Sequence, residues 1–391
     1  MGDPLDIFVA CAPGLEPLLR DELAAMVGDP NAAEATPGGV TMQSDAAGLH
    51  RICLECGLGS HVLVRIATFR APGFSELERA AKKIDWSRWL LPAAPRTVRA
   101  RARASRLYHT GAIAERFERA ITAQLGPPPP DATASAEASG REATDSHAPD
   151  APAVVARFER DRCTLSLDVT GDPLHRRGYR LAATKAPLRE DLARALILAS
   201  GWDPSTVLAD PFSGAGTIPI EAALLARRIA PGRLRAFALE QTPLFDAELW
   251  RRLRNDLAAR ELPHAPAPIY ASDRDAGAVQ ATRDNADRAG VLADLRVDLA
   301  ALTAAPFLTD APHGGALVTD PPHGRRLGDT RRLRALYQSL GRLARDLPSS
   351  RIALTSTDRR LTLATGLPLT TALLTDHGGT KLRFLIAEPR L

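Results

Sequence analysis

The sequence predicts an α/β protein, with a doubly wound parallel sheet in its C-terminal half and smaller α+β modules before it. Three observations lead there. From Leu188 onward, short apolar runs alternate with helical segments, the rhythm of parallel strands joined by crossover helices. Before that point strands and helices follow in mixed order, which suits small α+β modules rather than one large sheet. Within the first half, Gly126 to Pro152 is rich in proline, alanine, serine and acids. Such a stretch buries too little apolar surface to offset its ordering entropy, so it is read as a disordered surface insertion.

The elements follow in order. Ile7-Phe8-Val9-Ala10 reads as a strand and Leu15 to Val27 as an amphipathic helix. Val40-Thr41-Met42 is a strand after the Gly38-Gly39 turn, and Ala46 to Leu58 is helical. Val62 to Ile66 alternates like a half-buried strand. Ser75 to Ile84 reads as a helix with Ser75 as its cap and Glu78 three residues on. Val98 to Ala104 interleaves small apolar residues with Arg99, Arg101 and Arg103, so one face of that strand is basic. Gly111 to Leu125 is a helix, and Val154–Phe158 and Cys163–Leu167 are strands beyond the insertion. Downstream, the helices are Leu188–Ser200, Ile218–Ile229, Ala276–Ala289 and Arg331–Asp346. The strands between them are Thr206–Ala209, Ile269–Ala271, one near Leu295, Ala316–Thr319 and Ile352–Thr355, with Leu382–Ile386 last.

The bulk numbers narrow the class. The chain has 391 residues, 45% hydrophobic and 25% charged, which suits two or three domains with ordinary cores. The formal net charge is +4, and lysine occurs only at positions 82, 83, 185 and 381. Arginine's planar fork suits phosphate and stacks on bases, so this excess is compatible with nucleic acid. A genome-wide bias produces the same composition. No run of about 18 apolar residues occurs, so no membrane span is expected. The acidic start, Met1-Gly2-Asp3-Pro4-Leu5-Asp6, lacks an apolar signal core, so the cytoplasm is the expected compartment. Cys53-Leu54-Glu55-Cys56, with His50 and His61 nearby, resembles half a zinc site. A second cysteine pair is missing, so Leu49, Ile52, Cys53 and Cys56 are read as one buried helix face and no metal is expected.

Two loops carry the chemistry. Asp210-Pro211-Phe212-Ser213-Gly214-Ala215-Gly216-Thr217 is an acidic, glycine-rich strand-to-helix turn. Gly214 and Gly216 permit tight geometry and close approach of a ligand. Asp210 can accept from a cationic amine, and the helix from Thr217 offers free N–H groups to an anion. Amine plus carboxylate describes the amino-acid end of S-adenosyl-L-methionine. No Gly-Lys-Ser/Thr follows, so the turn is not a phosphate loop. Asp273, ending the second strand, is assigned to the ribose hydroxyls, with Asp275 as a helix cap. Asp298, after the third strand, faces the adenine amino group or caps the next element. The second loop is Asp320-Pro321-Pro322-His323-Gly324. Its prolines fix the backbone direction, which can aim the Asp320 carboxylate and the Pro321 carbonyl at one exocyclic amine, with His323 stacking on the base. A methyl donor on one side and an amino clamp on the other is what an amino-group methyltransferase needs.

These residues resemble a family. The Asp210–Thr217 turn with Ile220-Glu221-Ala222-Ala223, and Lys185-Ala186-Pro187-Leu188-Arg189-Glu190, are similar to the class I RNA methyltransferases that carry a THUMP domain. The likeness extends through Ala12–Glu16, Asp85-Trp86-Ser87, Ser105–Gly111 and Asp168–Arg180, and looks nearest to the large-subunit rRNA guanine-N2 enzymes. It implies a ferredoxin-like segment over residues 1–60, a THUMP RNA-binding domain over 61–175 and a Rossmann-like class I methyltransferase domain over 176–391. It also implies transfer of methyl from S-adenosyl-L-methionine to guanosine N2 in structured RNA, either rRNA or tRNA. The implied cofactor residues are Asp210, Phe212, Gly214, Gly216, Thr217, Glu221, Asp273 and Asp298. The implied catalytic set is Asp320, Pro321, Pro322 and His323. Arg106, Tyr108, His109, Arg176, Arg177 and Arg180 are expected at RNA. The family pattern at the second loop is Asn-Pro-Pro-Tyr-Gly, and here Asp320 and His323 replace the asparagine and tyrosine. Aspartate only accepts, which suits the N1–H and amino edge of guanine. The altered loop keeps two other readings open: an enzyme acting on adenine or cytosine, and an RNA-binding homologue without activity.

Overall fold

The computed structural model describes residues 4–92, 94–129, 151–181, 187–307, 315–323, 330–347 and 350–388. Most of the low-complexity stretch, together with Lys185, Ala186 and Gly324, lies outside the described residues. The chain forms two compact units. One comprises Met1–Cys11, Leu19–Leu174 and Arg235–Asn255; the other comprises Ala12–Leu18, His175–Leu234 and Asp256–Leu391.

The first unit is built on a seven-stranded sheet. Its strands are β1 (Leu5–Cys11), β2 (Ala33–Thr36), β3 (Gly39–Ser44), β4 (Gly59–Arg70), β5 (Thr97–Arg103), β6 (Ala153–Glu159) and β7 (Arg162–Asp168), in the order β2-β3-β1-β4-β7-β6-β5. The pairings are antiparallel except β5 with β6. The long β4 pairs with β1 through its first half and with β7 along most of its length, so the sheet runs without interruption from β2 to β5. Helices α1 (Glu16–Val27), α2 (Ala46–Glu55), α3 (Phe74–Lys83) and α4 (Thr110–Leu125) accompany it. Asp45 caps α2 by accepting from Gly48 N at 2.8 Å. Leu49, Ile52, Cys53 and Cys56 are buried together, as the spacing predicts. Burial pushes the Cys53 thiol up to about 12, which keeps it a neutral, apolar side chain. His50 is engaged at both ring nitrogens, at 2.6 Å from the Ala46 carbonyl and accepting from Asp246 N at 3.1 Å. Among the described residues no group of His, Cys, Asp or Glu is arranged to hold a metal. Helix α3 begins one residue earlier than expected: the cap is the extended Gly73, and Ser75 lies inside the first turn.

The second unit holds the other seven-stranded sheet. Its strands are β8 (Val207–Asp210), β9 (Ile269–Asp273), β10 (Leu295–Leu299), β11 (Gly315–Thr319), β12 (Ser350–Ser356), β13 (Thr370–His377) and β14 (Thr380–Ala387), in the order β10-β9-β8-β11-β12-β14-β13. The first five are parallel, as the alternation predicts. The far edge is not: β14 runs antiparallel to both β12 and β13. The β13–β14 turn is Gly378-Gly379, both at positive φ, the conformation a two-residue hairpin requires. That glycine pair is a legible hairpin signal, and the sequence reading passes over β13. The helices are α5 (Glu190–Ala199), α6 (Thr217–Ala226), α7 (Ala247–Arg260, which straddles the division between the units), α8 (Ala276–Arg288), α9 (Thr330–Arg345) and α10 (Arg359–Ala364). Val207, Ala209, Leu317, Ile352, Leu354 and Leu385 from the strands form one core with Leu340, Leu343 and Phe307. Among the described residues no helix is long and apolar enough to cross a membrane.

Candidate active site

The chain leaves β8 first toward β9 and β10 on one side, and later returns to β11 and β12 on the other. The crevice at the carboxyl ends of β8 and β11 is therefore the point where the strand order reverses, the usual ligand site of an open α/β sheet. Asp210 ends β8, and Asp320 directly follows β11. The register pairs β8 with β11 through Val207–Gly315, Leu208–Ala316 and Ala209–Leu317, which brings the two loops side by side.

The glycine-rich turn is held mainly through its backbone. Gly214 and Gly216 both have positive φ, at 53° and 85°. Gly214 N donates to Asp273 Oδ2 at 3.1 Å, and Ser213 N donates to the Ser272 carbonyl at 3.0 Å. From α8, Thr282 donates to the Gly214 carbonyl and Asn285 to the Ala215 carbonyl, each at 2.9 Å. A Cβ on Gly216 would lie 2.9 Å from Thr282 Cγ2, so the close helix packing also demands glycine. Gly216 caps α6 without a side-chain hydrogen bond, so the cap residue itself leaves the first amides of the helix unpaired.

Asp210 is 1% exposed. Its Oδ1 accepts from Thr319 Oγ1 at 2.6 Å and from Phe212 N at 3.1 Å. Burial pushes its carboxyl up to about 7; the two hydrogen bonds pull it down, and Asp320 and Asp273 push it up again. Three carboxylates thus feel one another around the turn, an arrangement that favours a cationic ligand. Two hydroxyls beside it, Ser213 Oγ and Ser272 Oγ, are buried without a partner among the described residues. Such orphaned polar atoms are expensive unless a ligand satisfies them. Asp275 caps α8 through Ala278 N at 2.8 Å, which leaves Asp273 as the acid at the end of β9. Asp298 lies on β10 opposite Ser272 and is half-buried. Phe212 packs against the sheet core, and Thr217 Oγ1 accepts from Arg180 at 2.9 Å.

The second loop is held by side chains. Asp320 Oδ1 accepts from Thr355 Oγ1 and lies 3.1 Å from His323 Nε2. His323 Nδ1 lies 3.3 Å from the hydroxyl of Tyr337, which is fully buried. Burial, with Asp320 and Asp358 nearby, raises the Tyr337 hydroxyl above the usual phenol range, so it stays protonated and can donate to Nδ1. His323 Nε2 lies within hydrogen-bond reach of both Asp320 Oδ1, at 3.1 Å, and Thr355 Oγ1, at 3.2 Å. Among the described residues the second Asp320 oxygen has no partner. Pro321 is buried and Pro322 exposed. Thr319, Tyr337 and Thr355 are the site residues the sequence reading misses. The local signals are weak, a threonine just before Asp320, another near the end of β12 and a tyrosine within α9, because their roles arise only across elements.

Two of the expected residues are sealed in the interior. Glu221, expected at the cofactor, is fully buried and pairs with Arg177 Nε at 3.3 Å, Arg194 Nη1 at 3.6 Å and the Tyr179 hydroxyl at 3.3 Å. Arg177, expected at RNA, is 2% exposed in that pair. A guanidinium sealed against a carboxylate is not available to a phosphate, while the other Glu221 oxygen, Oε2, is buried without a hydrogen-bond partner among the described residues. Arg180 is largely buried too, bonded to Thr217, Glu190 and the Leu188 carbonyl. Arg176 is exposed. Arg106, Tyr108 and His109 lie in the other unit; Tyr108 is 68% exposed and its ring sits 4.2 Å from that of His109.

The chain is similar to known proteins. A sequence profile described as an RMKL-like methyltransferase domain matches residues 177–370, and one described as the RlmL ferredoxin-like domain matches residues 6–63. A ribosomal RNA large subunit methyltransferase K/L of Syntrophotalea carbinolica is 37% identical over 350 residues, 87% of this chain and 47% of that protein. A proposed RNA methyltransferase of Synechocystis sp. is 34% identical over 337 residues, 85% of this chain and 83% of that protein. The chain spans about half the length of the K/L relatives it matches. The fold matches a crystal structure of a proposed methyltransferase complexed with SAH, at a TM-score of 0.85 and 24% identity over 100% of both chains.

Proposed function

The chain belongs to the RMKL-like methyltransferase family, and from that premise we propose that it transfers a methyl group from S-adenosyl-L-methionine to the N2 amino group of a guanosine in rRNA or tRNA. The observation that carries the proposal is the Thr319–Asp210 hydrogen bond, which ties the end of β11 to the glycine-rich turn, with Asp320 next in the chain. A donor site and an acceptor clamp are thereby joined through a single hydroxyl.

The residues present fit the donor. Asp210, Asp273 and Asp320 supply negative charge for its sulfonium and ammonium, and the uncapped start of α6 suits its carboxylate. Ser213 and Ser272 offer buried hydroxyls, and Asp273 and Asp298 stand at the ends of the next two strands for a ribose and an adenine. When bound, the donor supplies a methyl group on a positively charged sulfur, already activated for displacement.

The rest is positioning. Asp320 Oδ2 and the Pro321 carbonyl accept from the guanine amino group and direct its lone pair. The bound donor would supply its methyl to the amino nitrogen as its carbon–sulfur bond broke toward sulfur, and the Asp320 carboxylate would take the proton the nitrogen loses or pass it to water. His323 and Thr355 hold the other oxygen and keep the carboxylate aimed. The first unit, with its ferredoxin-like segment and THUMP domain, carries the RNA.

The test is nucleoside mass spectrometry of rRNA and tRNA from a deletion strain, before and after incubation with the purified protein and labelled S-adenosyl-L-methionine. We expect N2-methylguanosine to be missing from one RNA and restored in vitro. Labelled methyladenosine or methylcytidine would reassign the base. Cofactor binding by calorimetry without transfer to any RNA would leave an RNA-binding homologue.

A further inference from the structure

We infer that the open face of the first unit's sheet, at its β5 end, is a phosphate-binding platform for structured RNA. The inference rests on the RNA reading above and names a surface that reading does not use. Helix α4, with Ile113, Phe117 and Ile121 buried, packs on β5 from the other side. On the open side, Arg99, Arg101 and Arg103 alternate along β5 and are exposed. The register continues the pattern across the sheet. Arg101 stands opposite Arg157 on β6, and Arg157 opposite Thr164 on β7. Arg103 stands opposite Glu159, Glu159 opposite Arg162, and Arg162 opposite Arg70 on β4. Directly opposed residues share a face, so six arginines and one glutamate lie together. Among the described residues, the one ion pair in this group is a 3.9 Å contact between Arg157 and Glu159.

Like charges directly opposite each other destabilise a sheet. Arg101 against Arg157, and Arg70 against Arg162, are such pairs, and the free protein gains nothing from them. A polyanion relieves that repulsion. Residues two apart on a strand stand about 6.6 Å apart and neighbouring strands about 4.8 Å, so the guanidinium groups form a grid rather than a point. The strands β5, β6 and β7 place no aromatic ring on this face, so it offers bases nothing to stack on, unlike sheets that read single strands. The contact is therefore to phosphates, independent of sequence, and suits a folded RNA presenting its backbone.

The experiment measures binding of total bacterial rRNA by the full chain across a salt series. The variants are a triple, Arg99→Gln with Arg101→Gln and Arg103→Gln, and an equal-charge control, Arg251→Gln with Arg252→Gln and Arg360→Gln. The β5 triple should weaken binding and flatten the log-affinity against log-salt slope by about three, while the control changes it by less than about one. Equal loss in both triples, or none in either, overturns the platform. If the wild-type chain binds no rRNA at all, the RNA reading falls with it. A second measurement uses the free protein: Arg101→Gln alone should raise the melting temperature by about 1–3 °C, because it removes an opposed charge. A fall in melting temperature contradicts the inference.

Discussion

The glycine-rich turn after β8 and the proline loop after β11 sit side by side and are held by opposite means. The first is fixed through its backbone. Gly214 and Gly216 take conformations that other residues resist, and Asp273, Ser272, Thr282 and Asn285 bond its amides and carbonyls. Beneath it lies a sealed ion pair, Arg177–Glu221. The second loop is fixed through side chains, with Thr355, His323 and Tyr337 converging around Asp320. A site built on backbone should report damage as lost folding or lost cofactor affinity. One built on side chains should lose turnover while the fold stays intact.

Glu221→Ala tests the first half most severely. It leaves Arg177 buried without its carboxylate and should cost about 3–5 kcal/mol in chemical denaturation. If stability hardly changes and only RNA affinity falls, Arg177 is not the structural residue described above. Asp320→Ala tests the second half. Turnover should fall by about 100-fold or more, while calorimetry finds S-adenosyl-L-methionine affinity within a few-fold of wild type. Loss of cofactor binding would place Asp320 in the wrong loop.

The protonation of Asp210 gives a further contrast. Its carboxyl is raised to about 7 without a ligand, far above the usual value of about 4. The folded state therefore holds the proton more tightly than the unfolded chain. This contribution to stability is complete below about pH 4 and is lost as pH rises through about 7. A bound cationic amine favours the ionised form, so cofactor binding should release a proton below about pH 7. Affinity should weaken by up to about tenfold per pH unit in that range. Calorimetry in buffers of different ionisation enthalpy detects the proton, and Asp210→Asn should abolish it.

The smallest effect concerns His323. If the ring serves Asp320 through its Nε2 bond, His323→Gln should keep most turnover and His323→Phe should lose about tenfold, the worth of a hydrogen bond to a charged group. If stacking on the base is its role, the ranking reverses and His323→Tyr matches or exceeds wild type. The pH profile of kcat for the two variants separates a titrating ring from a passive one.

Legibility differed between the two loops for the same physical reason. A tight turn against a helix needs glycine, so Gly214 and Gly216 show in the sequence. Strand alternation likewise made β8, β9, β10, β11 and β12 readable, and the carboxylates Asp210, Asp273 and Asp320 were found at strand ends. A side chain's partner across a sheet leaves no local trace. Nothing near Asp320 indicates Thr355 on the next strand or Tyr337 in α9. A basic run such as His175–Arg180 looks the same whether it meets solvent or, as at Arg177, a buried glutamate.

The sequence by itself therefore determined the sheet's parallel core, the two loops and the family they resemble, because these depend on local periodicity and backbone geometry. Only the tertiary structure decided which charges are sealed and which are free. It sealed Arg177 against Glu221, turned the sheet's last strands antiparallel and bound His323 to Asp320 and Tyr337. It also gathered the arginines of β4, β5, β6 and β7 onto one face. Burial and cross-strand register are properties of the packed chain, and residues far apart in sequence acquire them together.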